Sequence, residues 1–222
     1  MAIQTVSRIE INNGLLQVLS KDGNLIRLHY KQGEMDGACA VYSVAFCMMY
    51  EQMVDGIHAS GRTNGDRLLR ELFDKYGMVR QGFNFKNLKS IIDKYKKKSW
   101  LVEHYSGTPK YCVNEVRDKI DAGLTPIIGI DYSGCKLGHA LLAVAYEYDE
   151  QSDKVNRIFC LDSSAPSPRT AIWNSYIDVR DLRKPSIHVN DDPDCEPAEC
   201  RITNYLILHD TDFDEYLLDG YY

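Results

Sequence analysis

The sequence predicts an α+β fold in which a buried helix near the N-terminus packs against an antiparallel β-sheet. Three observations lead to this prediction. Residues 38–53 contain neither Pro nor Gly and are apolar on nearly every face, as expected of a helix that is buried all round. Amphipathic helical patterns follow this segment. From residue 126 onward, alternating apolar residues and short apolar runs indicate neighbouring strands. Segregation of helices from strands along the chain is typical of α+β proteins.

The first 30 residues have the pattern of a β-hairpin region. Apolar runs flank the turn signal Asn13-Gly14, and a second turn signal lies at residues 22–24. An Asn-Gly pair between two apolar runs is a strong hairpin signal, because both residues tolerate positive φ angles. The buried helix is then expected to begin near Cys39, after turn residues, and to end near Asp55-Gly56.

Residues 31–189 are predicted to form the core of the domain. It carries a helical insert at residues 60–100, and a further helix ends at Gly123, just before Pro126. Five strands are predicted after that helix, at residues 126–132, 138–149, 155–164, 171–179 and 200–208. Residues 190–222 form an acidic C-terminal extension that we assign to the same domain.

The charge distribution excludes several classes of partner. The net charge is -6, and residues 190–222 hold ten acidic residues and one basic residue, so the remainder carries a net charge of +3. Neither part has the positive excess that nucleic-acid binding requires. No apolar run approaches the about 20 residues of a membrane-spanning helix, and the first residues lack the apolar region of a signal peptide. We therefore expect a cytoplasmic protein without nucleic-acid or membrane partners. Delivery by a signal-peptide-independent secretion system would leave no mark at the N-terminus.

Cys39 is the first candidate for a chemical role. The chain contains seven cysteines, an odd number, so at least one thiol is unpaired, and without a signal peptide a reduced chain is expected. Cys39 lies where a Gly-containing loop meets the buried helix. The unpaired N–H groups and partial positive charge of a helix N-terminus favour a thiolate and can hold an oxyanion. Alternatively, Cys39 is a small core residue, as we expect for Cys47, Cys112 and Cys160.

His139 and Asp162 complete a set of residues suited to nucleophilic catalysis. His139 is a polar residue within an otherwise apolar strand, and Asp162 follows the next apolar run along the chain. If the two strands are neighbours, the carboxylate can accept the ring N–H of His139, fix its tautomer and stabilise the imidazolium. A histidine held in this way can activate a cysteine at a helix N-terminus.

These residues resemble those of the papain-like cysteine peptidase superfamily, most closely its bacterial branch of peptidases that process double-glycine bacteriocin leaders. The resemblance covers about residues 30–165. It rests on a cysteine that opens a buried helix, on Gln32 seven residues before it, and on AGLTPIIGI, GHALLAVAYEYD and LDSSAP further along the chain. It implies a papain-like fold with Cys39 as nucleophile, His139 as general base, Asp162 as its orienting partner and Gln32 as an oxyanion donor.

The sequence departs from the family pattern at three points. Ala40 follows the nucleophile where the family has Gly, Ala145 replaces Gly before Tyr146, and the spacing from Gln32 to Cys39 is one residue longer than usual. The insert at 60–100 and the acidic extension have no counterpart in the family.

The resemblance implies a thiol hydrolase that cleaves a peptide or isopeptide bond in a protein or peptide substrate through an acyl-enzyme, without a cofactor. The same three residues would serve a deamidase, transglutaminase or acyltransferase, as in a bacterial effector or toxin. Two other hypotheses remain open: a binding module that has lost activity, and a self-regulated protein whose acidic extension covers the cleft.

Two other groups of residues are weaker candidates. Cys135 lies four residues before His139 in a Gly-flanked loop and is a rival nucleophile. Cys195 and Cys200, flanked by His188 and His209, suggest a zinc site, but a single pair of cysteines with this spacing is not the usual zinc pattern. We therefore predict no metal site.

Overall fold

A computed structural model describes residues 1–33, 38–57, 61–76, 84–134 and 138–212. The helices in these ranges are α1 (Cys39–Tyr50), α2 (Asn64–Tyr76), α3 (Phe85–Tyr95) and α4 (Pro109–Asp121). The first strands are β1 (Ala2–Thr5), β2 (Ile9–Asn12), β3 (Leu15–Leu19), β4 (Leu25–Arg27) and β5 (Trp100–Ser106). The remaining strands are β6 (Ile127–Tyr132), β7 (Gly138–Asp149), β8 (Lys154–Leu161), β9 (Ser175–Asp178), β10 (Ser186–Asn190) and β11 (Ala198–Asp210).

Strands β6 to β11 form a closed six-stranded antiparallel barrel. The order around the barrel is β7-β6-β11-β10-β9-β8, and β8 pairs with β7 to close it. Strand β1 pairs with the C-terminal half of β7, and β5 pairs with β11. Strands β2, β3 and β4 form a separate three-stranded sheet. Asn13 and Gly14, with φ angles of 51° and 73°, make the turn between β2 and β3.

The prediction of an α+β papain-like fold, with a helix packed against a sheet, is wrong, because the barrel dominates the fold. Closure follows from β7, whose 12 residues pair with β6 along the first part of the strand and with β8 along the rest. The register shifts between Ala143 and Ala145 and between Ile202 and Asn204. Such bulges bend and twist strands, which favours a closed barrel over an open sheet.

Helix α1 is buried along almost its whole length. It begins at Cys39, and every residue in it except Tyr42 is buried. The helix contacts β6, β7 and β11 of the barrel as well as α2 and β3. Just beyond its last turn, Glu51 accepts a hydrogen bond of 2.7 Å from His209 on β11. Cys39 is therefore held at the wall of the barrel by a helix that packing fixes on all sides.

The acidic C-terminal region contributes directly to the barrel. Strand β11 pairs with β10, β6 and β5, so residues 198–210 lie at the centre of the larger sheet. Residues 213–222 lie outside the described residues. Within the described part of the chain, no helix has both the length and the apolar character needed to cross a membrane.

Candidate active site

Cys39, His139 and Asp162 meet at one end of the barrel. Cys39 is the first residue of α1, His139 is the second residue of β7, and Asp162 directly follows β8. The pairing of β7 with β8 sets Leu142 opposite Leu161, which brings the start of β7 beside the end of β8. This antiparallel register gives His139 and Asp162 a common location although 23 positions separate them along the chain.

The side chain of His139 bridges the other two residues. Its Nε2 donates to Asp162 Oδ1 over 2.8 Å. The imidazole also lies close enough to the Cys39 side chain for each group to shift the pKa of the other. Because Nε2 is engaged by Asp162, Nδ1 is the nitrogen available to the sulfur. The backbone N–H of Ala140 also favours the thiolate of Cys39. Cys39 is only 7% exposed, so packing determines its position.

The electrostatics of the site favour a charged thiolate–imidazolium pair. Burial by itself raises the pKa of the Cys39 thiol, but the charge and hydrogen bond of His139 outweigh it and hold that pKa below its ordinary value. Burial likewise opposes a charge on His139. The carboxylate of Asp162 and the thiolate of Cys39 overcome this effect and hold the pKa of His139 well above its ordinary value.

Asp162 is fully buried and kept ionised by its surroundings. Burial opposes ionisation, but His139, His188 and Ser164 hold the pKa of the carboxyl well below its usual range. The backbone N–H and the hydroxyl of Ser164 donate to Oδ1 over 2.8 and 2.7 Å. These bonds fix the carboxylate oxygen that faces His139.

The backbone of Asp162 is held by Asn174 and His29. Asn174 Oδ1 accepts from the Asp162 N–H over 2.7 Å, and Asn174 Nδ2 donates to the Asp162 carbonyl over 2.8 Å. His29 Nε2 lies 2.8 Å from the same carbonyl oxygen. Burial lowers the pKa of His29 to about 4, so this residue is neutral at physiological pH. The position of Asp162 therefore depends on residues distant in sequence.

Two clefts border His139. The larger, about 490 Å³ in volume, contains Cys39, and α3, β5, β6, β7 and β11 contribute to its walls. The smaller, about 260 Å³, contains Gln32, Ser164 and His188. Because His139 belongs to both, a group bound in either cleft can lie beside its imidazole.

Gln32 lies in the smaller cleft, whereas Cys39 lies in the larger one. Its side-chain Oε1 accepts a hydrogen bond of 2.7 Å from Ser163, and its backbone N–H donates to the Ser163 carbonyl. The structure thus brings Cys39, His139 and Asp162 together and ties Gln32 to the residue next to Asp162. The role of Gln32 as an oxyanion donor stays a prediction.

Sequence reasoning missed four residues of the site. His188 and Tyr132 lie against Asp162 and His139, and His29 and Asn174 hold the backbone of Asp162. The available signal was the presence of polar residues within apolar runs, as at His188 in the short strand β10. This signal was interpreted only as part of a zinc hypothesis.

The residues of the zinc hypothesis do not come together as a metal site. Cys135 lies outside the described residues. His188 contacts Asp162, whereas His209 pairs with Glu51 at the other end of α1. Cys195 is exposed and Cys200 is buried. Among the described residues, no group of three or more His, Cys, Asp and Glu side chains has a metal-binding arrangement.

A scan against protein-family models finds no match, and no curated protein matches this sequence. The chemistry of the site is therefore inferred from its geometry and electrostatics alone.

Proposed function

We propose that this protein is a thiol-dependent hydrolase that cleaves a peptide or isopeptide bond through an acyl-enzyme on Cys39. The observation that supports the proposal is the position of His139, whose Nε2 bonds Asp162 and whose imidazole lies beside the Cys39 thiol and lowers its pKa. A nucleophile, a base within hydrogen-bond reach and a group that orients the base are the three parts of an activated nucleophile.

The reaction begins with attack of the Cys39 thiolate on the substrate carbonyl. Sulfur and carbon form a bond, and the carbonyl oxygen becomes an oxyanion beside the N-terminus of α1. There the first N–H groups of the helix have no partners within the helix, and they can donate to the oxyanion. His139 then donates its Nδ1 proton to the leaving amine as the carbon–nitrogen bond breaks, which leaves a thioester on Cys39.

Water completes the cycle. His139, now neutral, accepts a proton from a water molecule that attacks the thioester. The carbon–sulfur bond breaks, the acid product leaves, and the Cys39 thiolate faces an imidazolium again. Asp162 keeps its hydrogen bond to Nε2 throughout and stabilises the charge on His139 at each stage at which it is present.

Alkylation by iodoacetamide across pH, with peptide mapping of each cysteine, tests this proposal. We expect Cys39 to react at a lower pH than an ordinary thiol, because its pKa is lowered. Cys47 and Cys160 are internal controls, since burial raises their pKa values. His139→Ala should abolish the reactivity of Cys39 at low pH, because burial then acts on the thiol without an opposing cation.

Acylation by an activated ester, p-nitrophenyl acetate, is the second measurement. Intact-mass analysis should detect an acetyl group on the wild-type protein that peptide mapping locates at Cys39, and Cys39→Ala should not acquire it. If Cys39 reacts no faster than Cys47 at any pH, the proposal is wrong. Once a target protein is known, cleavage yields two chains, whereas a deamidase would replace an amide by an acid within an intact chain.

A further inference from the structure

The two oxygens of the Asp162 carboxylate have different surroundings. Oδ1 accepts hydrogen bonds from His139 and from Ser164, whereas Oδ2 is buried and has no hydrogen-bond partner among the described residues. Nε2 of His188 lies 3.4 Å from Oδ2 and is equally buried, again without a hydrogen-bond partner in the described part of the chain. A buried polar atom without a hydrogen-bond partner lowers the stability of the fold, and a charged one lowers it most. The close approach of two buried, unpartnered atoms therefore requires an explanation.

The protonation of His188 follows from its neighbours. Burial lowers the pKa of His188 to about 4, so the ring is neutral at physiological pH and carries one proton. The nitrogen that faces an ionised carboxylate must hold that proton, since a lone pair there would be repelled. Nδ1 then accepts, and its partner is the hydroxyl of Tyr132 at 2.9 Å. Burial raises the pKa of Tyr132, which keeps the hydroxyl protonated and able to donate.

We propose that His188 is a positioning residue for Asp162. Its Nε2 lies 3.4 Å from Oδ2, and a proton there favours the side-chain orientation that turns Oδ1 toward His139, while Tyr132 selects the tautomer of His188 that allows this. The inference rests on the proposed function, because His188 acts on chemistry only through Asp162, His139 and Cys39.

A neutral ring is essential to this role. The rings of His139 and His188 have centroids 5.9 Å apart, so a positive charge on His188 would oppose the imidazolium that activates Cys39. Opposite His188, the paired residues are Ile177 on β9 and Ala198 on β11, which do not titrate. The titratable groups around the ring are Asp162 after β8, His139 on β7, Tyr132 on β6 and Cys200 on β11, and Cys195 and Glu196 line the same cleft.

Variants at His188 and Tyr132 separate positioning from packing. His188→Phe keeps a ring of similar size but removes the donor to Asp162. His188→Gln is the matched control, because its amide can donate to Asp162 and accept from Tyr132 at once. Tyr132→Phe leaves His188 in place and removes only the donor that selects its tautomer.

The measurement is the rate of Cys39 alkylation by iodoacetamide as a function of pH. We expect His188→Phe to slow alkylation about tenfold at pH 6 and to shift the profile upward by about one pH unit, since the polar N–H that lies 3.4 Å from the carboxylate is lost. At pH 9, where the thiolate forms without help, the rates should coincide. His188→Gln should retain the wild-type pH profile of alkylation. The alkylation rate of Tyr132→Phe at pH 6 should lie between the rates of the wild type and of His188→Phe.

The outcomes distinguish this inference from the proposed function. If wild-type Cys39 is reactive at pH 6 and His188→Phe has the same profile, the positioning role is refuted and the proposed function stands. If wild-type Cys39 is unreactive at pH 6, the proposed function itself fails.

Nitrogen-15 chemical shifts of the His188 ring in the wild-type protein give an answer that needs no variant to fold. A proton on Nε2 at neutral pH supports the inference, and a proton on Nδ1 overturns it.

Discussion

At the scale of single residues, the buried carboxylate of Asp162 stands between two histidines, with His139 Nε2 at 2.8 Å and His188 Nε2 at 3.4 Å. The two histidines differ in charge although they share this carboxylate. His139 also faces the thiolate of Cys39, which raises its pKa, whereas His188 faces the neutral hydroxyl of Tyr132. The charge of the site therefore depends on Asp162, which is fully buried.

Replacement of Asp162 by Asn should remove the charged state of Cys39 and His139. The amide keeps the size of the side chain but takes away the negative charge that holds the pKa of His139 high. We expect alkylation of Cys39 at pH 6 to fall by about tenfold to a hundredfold, which corresponds to one or two pKa units. The rate of alkylation against pH, measured for both proteins, checks this expectation.

Ser164→Ala is the matched control for Asp162→Asn. It removes one hydrogen bond to Oδ1 but leaves the carboxylate in place. If the rate of Cys39 alkylation at pH 6 changes little in Ser164→Ala and falls strongly in Asp162→Asn, the loss of reactivity is due to the loss of the negative charge. Equal rates for Asp162→Asn and the wild type would show that the carboxylate does not control the thiol.

The sequence indicates some of these residues better than others. Cys39 has a local signal, because it begins an apolar helix, and His139 and Asp162 stand out as polar residues at the edges of apolar runs. Asn174 has no comparable signal, because polar residues in short irregular segments are common, and the signal at His188 does not indicate which residue it contacts. Their roles arise from β8, β9 and β10 lying side by side, which depends on pairing across the barrel.

At the scale of elements, the bulge in β11 determines the shape of the larger cleft. The pairing with β6 shifts between Ile202 and Asn204, so that Asn204 lies opposite Gly129. A Cβ atom added at Gly129 would be 2.4 Å from Asn204 Oδ1. Both residues line the cleft that contains Cys39, so the absence of a side chain at Gly129 leaves room for the amide of Asn204.

Gly129→Ala should therefore destabilise the protein and disturb the cleft. We expect the free energy of unfolding to fall by about 1–3 kcal/mol, because the added methyl group forces the Asn204 side chain to move. Urea denaturation measures the loss. In the double variant Gly129→Ala, Asn204→Ala, the clash is absent, so most of the loss beyond that of Asn204→Ala alone should disappear. If the double variant loses as much unfolding free energy as Gly129→Ala and Asn204→Ala combined, the clash with Asn204 is not the cause.

The sequence predicts the helices and long strands more successfully than the short strands. Apolar periodicity indicates the helices within residues 60–100 and the helix that ends near Gly123, and the apolar runs locate β6, β7 and β8. Strands β5 and β10 were missed. Each follows or precedes a charged segment, and β10 is short, although its five residues alternate between polar and apolar.

At the scale of the whole molecule, closure of the barrel is the property that the sequence does not reveal. Each strand of an antiparallel sheet shows the same alternation whether the sheet is open or closed. Closure depends on the pairing of β7 with both β6 and β8, and on the return of β11 to β6. These are long-range relations between segments, and the local pattern of residues does not encode them.

The stability of the molecule should fall as the pH is lowered from about 6.5 to 4. His29 and His188 have pKa values of about 4 in the folded protein, against 6.5 for an ordinary histidine. In this window the unfolded chain binds protons that the folded protein does not, so acidification favours unfolding. Each histidine contributes up to about 3 kcal/mol, and urea denaturation at pH 7 and at pH 4.5 measures the sum.

The pair formed by Cys39 and His139 should add little to this dependence between about pH 6.5 and 8.5. There the folded pair holds one proton on the imidazole and the unfolded chain holds one on the thiol, so folding neither takes up nor releases a proton. Below about pH 6.5 the unfolded histidine also binds a proton, so the charged folded pair adds to the loss of stability that denaturation at pH 4.5 measures. His188→Gln should weaken the acid dependence by the share of one histidine. Equal stability of the wild-type protein at both pH values would contradict the assignment of neutral, buried histidines.

The position of β11 in the barrel also bears on how the chain is made. Strand β11 pairs with β6, yet 65 residues separate the end of β6 from its start. At a synthesis rate of about 5–20 residues per second, the ribosome needs roughly 3–13 s to make the residues between β6 and β11. During that interval the apolar face of α1 lacks one wall of its binding site. A nascent chain that stalls before residue 198 would expose this surface to chaperones, and Cys39 would gain all its packing contacts only late in translation.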